Sequence, residues 1–168
     1  EEIVGGNVID LSNIGNNGTV RGARIVNDAA RGNVLSLNGT TSDYVSVRGF
    51  DDLTTTLTVA YWMKSDDTDN RGTAVSYASA ASANDMIVYD YRSVRLYAGG
   101  GAGGITNQAL NDGAWHYVVY TWEHKSNDAR LYVDGAQVWK GAILKPRGRL
   151  PDPITPGGVL VIGQEQDR

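Results

Sequence analysis

The side chains with the clearest chemical potential sit at Gln164, Glu165, Gln166 and Asp167, directly after the apolar run Val159 to Ile162. Calcium takes about six to eight oxygen ligands, typically closely spaced carboxylates, amide oxygens and backbone carbonyls. Glu165, the backbone carbonyl of Gln166 and Asp167 supply about half of such a shell. Two acids at i and i+2 on a strand point the same way at any surface edge, so spacing alone leaves a solvated strand exit open. The pair also matches the first two letters of ExDxxE, in which glycoside hydrolases set a nucleophile and a general acid roughly 5 to 5.5 Å apart for retention. Such a strand needs apolar residues between its acids to hold them rigid, whereas Gln166 and Arg168 are polar. Catalysis is therefore the weaker reading.

Other candidate chemistry is less well supplied. His116 and His124 flank one strand, and the chain has no third histidine and no cysteine, so a zinc site would have to recruit carboxylates. Polar packing is the simpler role for both. No GxSxG elbow is present to make a nucleophile. Gly99, Gly101 and Gly104 satisfy GxGxxG, but ITNQALNDG behind them is not the helix a phosphate loop requires, and a flexible hairpin tip is expected. Trp62, Trp115, Trp122 and Trp139 lie mostly in apolar strand patterns, which favours core or sheet-face positions over a sugar-stacking platform. Trp139, beside Lys140, is the tryptophan expected to be exposed. Asn17-Gly18-Thr19 and Asn38-Gly39-Thr40 match the glycosylation acceptor and are equally good turns.

The elements that would position these residues are strands. Short runs rich in Val, Tyr and Thr, separated by Asn, Asp and Gly, predict an all-β chain. LTVAYWMK, TAVSYAS, MIVYDYRS, WHYVVYTWEH, RLYVDGAQVWKG and VLVIG are the strong candidates, and Asp134-Gly135 is a hairpin signal. VLSLNG and DYVSV predict two strands with a short connection at Asn38 to Thr40. Asp66 to Asn70 and Lys125 to Asp128 are expected to be solvated turns. All four prolines fall within Lys145 to Gly158, which predicts an irregular excursion before the last strand. About ten strands without a helical pattern predict a two-sheet antiparallel sandwich.

The 168 residues fit one domain by the usual size of about 100 to 200 residues. A net charge of -4 gives no footprint for nucleic acid or an anionic membrane, and no apolar run approaches the roughly 18 residues of a spanning helix. Neither nucleic-acid binding nor membrane insertion is expected.

GGVLVIGQEQD resembles the calcium signature of pentraxins. Upstream, LTVAYWMKS, AVSYASAASANDMIVY and NDGAWHYVVYTW resemble further pentraxin segments in the expected order. IDLSNIGNNGTVRGA and LNGTTSDYVSV look more like the laminin-G-like domains of exported proteins. Both groups share the concanavalin A-like jelly-roll sandwich, which is the fold the resemblance implies. The resemblance implies calcium ligands at Asn84, Glu165, the Gln166 carbonyl and Asp167. The aspartate that often precedes the asparagine is Ala83 here. Further ligands and closing strands are expected past Arg168, so that residues 1–168 would be one domain lacking its last strands. The family disulfide falls at Ala60 and Val119, where two apolar side chains are expected to fill the volume of a buried bridge.

The function so implied is a calcium-dependent, non-catalytic recognition module for a glycan or a small anionic ligand, secreted or at the cell surface. The alternatives are a structural or adhesion spacer in a larger exported protein and a glycoside hydrolase of the same fold. Oligomerisation is compatible with each of these.

Overall fold

Alternating apolar and polar residues fold here as antiparallel strands, in a computed structural model that describes residues 3–4, 6–40, 42–52 and 54–165. In chain order these are β1 (Ile3–Val4), β2 (Asn7–Val8), β3 (Gly18–Arg21), β4 (Arg24–Asp28), β5 (Gly32–Ser36), β6 (Tyr44–Phe50), β7 (Thr56–Met63) and β8 (Thr73–Ala78). They continue as β9 (Met86–Tyr89), β10 (Arg95–Ala98), β11 (Gly101–Ile105), β12 (His116–Glu123), β13 (Asp128–Val133), β14 (Ala136–Gly141) and β15 (Gly158–Ile162).

One sheet has the order β1-β2-β3-β6-β15-β8-β9-β10-β11, a second β14-β13-β12-β7, and β4 pairs with β5 alone. The core lies between the two larger sheets and includes Tyr77, Met86 and Leu96 from the first and Val118, Tyr120, Trp122 and Leu131 from the second. This is the all-β, two-sheet antiparallel sandwich that the pattern predicts, in the concanavalin A-like form that the resemblance implies. The strand total exceeds ten because several are very short.

β15 is the strand that carries the site, and it is central, flanked by β6 and β8. Val159 to Ile162 are all buried or half-buried on both faces of the sheet, which explains VLVI. Gly158 opens it beneath Tyr77, whose hydroxyl accepts the Gly158 N–H at 2.9 Å and donates to the Thr155 carbonyl at 2.7 Å. A Cβ at Gly158 would fall 2.1 Å from the Ala78 carbonyl oxygen, so only glycine fits.

Five expectations change. VLSLNG and DYVSV have the short connection predicted, yet β5 turns back on β4 through Asp28, whose carboxylate accepts the Ala30 and Arg31 amides, while β6 joins β3 and β15. The hairpin tip in the glycine run is confined to Gly99 and Gly100, both at positive φ, and Gly101–Ile105 is paired strand. Lys125 to Asp128 is not wholly solvated: Asn127 is buried, for reasons given below. Ala60 and Val119 are direct cross-strand partners on β7 and β12, but Ala60 is exposed on the outer face, so the pair fills no buried volume. Finally, Trp62 is the exposed tryptophan, at 44%, because β7 turns it outward against Tyr117 and beneath the Arg31 guanidinium, 3.2 Å from its ring centre. Trp139 is only half-exposed, pressed against Gly103 and Gly141.

Candidate functional site

The end of β15 does not run on into solvent. Gly163, at φ 91°, donates to the Ala74 carbonyl at 2.9 Å, and a Cβ on it would meet Leu37 Cδ1 at 2.5 Å. Glycine is therefore needed both for the left-handed turn and for the close approach. The chain then passes over β8, where the fully buried Ser76 donates through Oγ to the Gln164 carbonyl at 2.7 Å. Ser76 is the residue paired with Val161 on β15 and with Ile87 on β9. The strand exit is thus tied to β8, the strand that leads into the turn carrying Asn84.

Asn84 stands in the β8–β9 turn, which serines hold in place. Ser79 N–H donates to the Ser82 carbonyl at 3.0 Å, Ser79 Oγ accepts the Ala81 amide at 3.1 Å, and Ser82 Oγ accepts the Asn84 amide at 3.2 Å. Asp85 closes the turn: its buried carboxylate accepts Ser79 Oγ–H at 2.6 Å and the Thr155 amide at 3.1 Å. With its backbone fixed, Asn84 presents a buried Oδ1 that has no hydrogen-bond partner among the described residues. Gln164 Oε1 is in the same condition.

A buried acceptor without a donor costs about 1 to 3 kcal/mol, so these two amide oxygens are open positions for a donor or a hard cation. Amide oxygens are among the ligands calcium takes, so the donor chemistry at Asn84 fits the ion that the resemblance implies. Glu165 follows Gln164 directly, and Gln166 and Asp167 lie outside the described residues. Among the described residues no group of three or more His, Cys, Asp or Glu gathers as a metal site. Gln164 was legible as part of the oxygen-rich cluster but without a role of its own, and Ser76 and the turn serines were missed. The only signal for the serines was their turn-forming spacing in ASAASAND, and none marked Ser76.

The histidines take structural roles. His116 Nδ1 meets Asp134 at 2.7 Å and Nε2 meets Asp112 at 3.0 Å, which together raise its pKa. His124 packs its ring edge against Trp122, with centroids 5.8 Å apart.

A central strand exit folded back over a concanavalin A-like sandwich defines the class, and sequence comparison gives the family. Residues 38–168 match the family described as the concanavalin A-like lectin/glucanases superfamily. The chain belongs to that superfamily as a pentraxin/laminin-G-like domain. It is 40% identical over 114 residues to the Rattus norvegicus sushi, von Willebrand factor type A, EGF and pentraxin domain-containing protein 1, covering 67% of this chain and 3% of that protein. It is 35% identical over 117 residues to Homo sapiens neuronal pentraxin-1, covering 66% of this chain and 25% of that protein. The chain thus spans a small part of the curated relatives it matches.

Among solved structures, the binding domain of Paraclostridial Mosquitocidal Protein 1 superposes with a TM-score of 0.68 at 13% identity, over 96% of this chain and 46% of that one. The heptameric SAP-like pentraxin of Limulus polyphemus superposes with a TM-score of 0.53 at 20% identity, over 74% of this chain and 59% of that one. These two likenesses concern the fold.

Proposed function

We propose that the chain is a non-catalytic, calcium-dependent recognition module, extracellular or at the cell surface, that binds a carbohydrate or a small phosphate- or carboxylate-bearing ligand. The observation that carries this reading is the buried, unpartnered Oδ1 of Asn84, at the position where pentraxin resemblance expects a calcium ligand. The other ligands in the proposal are Glu165, the Gln166 carbonyl and Asp167. Bound calcium supplies a positive centre whose remaining positions an anion or a sugar diol completes. The protein's own contribution is preorganisation: Ser82 fixes the Asn84 backbone, and Ser76 and Gly163 fix the chain that leads to Glu165. Occurrence of the matched segment within much longer pentraxin proteins supports a module in a larger polypeptide.

The test is retention of the protein on immobilised phosphomonoester, carboxylate and neutral-glycan surfaces in calcium, followed by release with chelator. Asn84→Ala and Asp167→Ala are expected to abolish chelator-sensitive retention while the protein stays folded. Retention on none of these surfaces, or retention insensitive to chelator and to both substitutions, contradicts the reading and leaves a structural or adhesion spacer.

A further inference from the structure

Where β8 turns into β9 and β10 into β11, the sandwich ends in a cleft of about 340 Å³ whose third wall is the proline-bearing segment before β15. This lies at the small end of the roughly 300 to 1,000 Å³ of ligand pockets. Its walls are fixed to one another. Gly99 N–H donates to the Asp85 carbonyl at 2.8 Å, and the Gly99 carbonyl accepts the Asp152 amide at 3.0 Å. A Cβ at Gly99 would fall 1.8 Å from the Asp152 carbonyl oxygen, so the back of the cleft closes only on glycine. At Gly100 a Cβ would stand 3.3 Å from Ser82 Oγ and 3.4 Å from Lys145 Cε, so glycine there keeps the mouth open.

The charges lining the cleft do not cancel. Lys145 Nζ pairs with Asp152, on which the field of Arg149 also acts. Asp85 is 2% exposed, and no Lys, Arg or His among the described residues lies within ion-pair distance of it. A buried carboxylate with hydrogen bonds but no cation is an attractive position for a ligand's positive charge. Around it stand groups suited to hydroxyls: Ser82 Oγ, the Asp152 carboxylate as acceptor and the Lys145 ammonium as donor.

We propose that this cleft binds a small cationic polyhydroxyl ligand, an amino sugar, with its ammonium directed to Asp85 and its hydroxyls to Ser82, Asp152 and Lys145. Binding here needs no calcium, and the charge preference is opposite to that of the calcium centre, so titration in chelator reads this site alone even though both use the β8–β9 turn.

The experiment is titration of the protein in excess chelator with glucosamine, glucose and glucuronate, followed by calorimetry or amide shifts. Glucosamine is expected to saturate, glucose to bind more weakly and glucuronate most weakly. Ala81→Trp, at the exposed rim, is expected to weaken glucosamine by about tenfold or more, a loss read directly from Kd, with an unchanged melting temperature. Asp85→Asn is expected to erase the preference for glucosamine over glucose, and Asp167→Ala to change nothing. Failure of glucosamine to saturate by about 100 mM, a hundredfold above millimolar affinity, overturns the proposal. So does glucuronate binding as tightly as glucosamine, or an Ala81→Trp protein that binds like the parent.

Discussion

His116 carries a carboxylate on each ring nitrogen, Asp134 from the β13–β14 turn and Asp112 from the loop before β12. The Asp134 bond is the larger cause of its raised pKa, above the ordinary 6.5, and His116 in turn lowers the pKa of both aspartates. A folded-state pKa above the unfolded one means a contribution that is complete below about pH 6.5 and lost as pH rises through the folded value. The aspartate contribution has the opposite sign, present above the ordinary carboxyl range and lost as pH falls through the lowered folded values. Melting temperature is therefore expected to fall from pH 6.5 upward by a step that His116→Gln removes. A slope identical in parent and variant contradicts this. At this scale the sequence was legible only in part. A polar role for His116 was readable from its place beside an apolar strand, but its two aspartate partners come from turns whose approach no local spacing reveals.

Among the elements, the link between β12–β13 and the segment after β14 rests on one side chain. Asn127, at φ 50°, donates through Nδ2 to the Ile143 carbonyl at 2.7 Å and accepts through Oδ1 from Trp122 Nε1 at 3.2 Å and the Ile143 amide at 3.3 Å. Asn127→Ala leaves these groups buried without partners and is expected to cost about 2 to 4 kcal/mol. For a chain of this size that is a fall of roughly 5 to 15 °C in melting temperature, measurable by calorimetry. A fall within 2 °C, about the value of half a kcal/mol or less, would show the network to be dispensable. The strands themselves were legible because period-2 alternation and Asp-Gly turns are local signals. Which strand pairs with which was not. β5 and β6 are neighbours in sequence, but the Asp28 turn commits β5 to β4, and the exposure of Trp62 rather than Trp139 follows from the outward register of β7 and the glycines beside Trp139.

For the molecule as a whole, the central placement of β15 makes the binding account depend on the sandwich: the sheet carries the strand exit to Ser76 and holds the serine-stitched turn that presents Asn84. An ion that binds only this folded arrangement stabilises all of it. The direct test is thermal unfolding in excess chelator and then across a calcium titration, with magnesium as the control ion. At about a hundredfold excess over Kd, single-site linkage gives about 2.7 kcal/mol, so a saturable, calcium-specific rise of roughly 5 to 10 °C that Asn84→Ala abolishes is expected. A melting temperature that ignores calcium, or that magnesium raises equally, contradicts it.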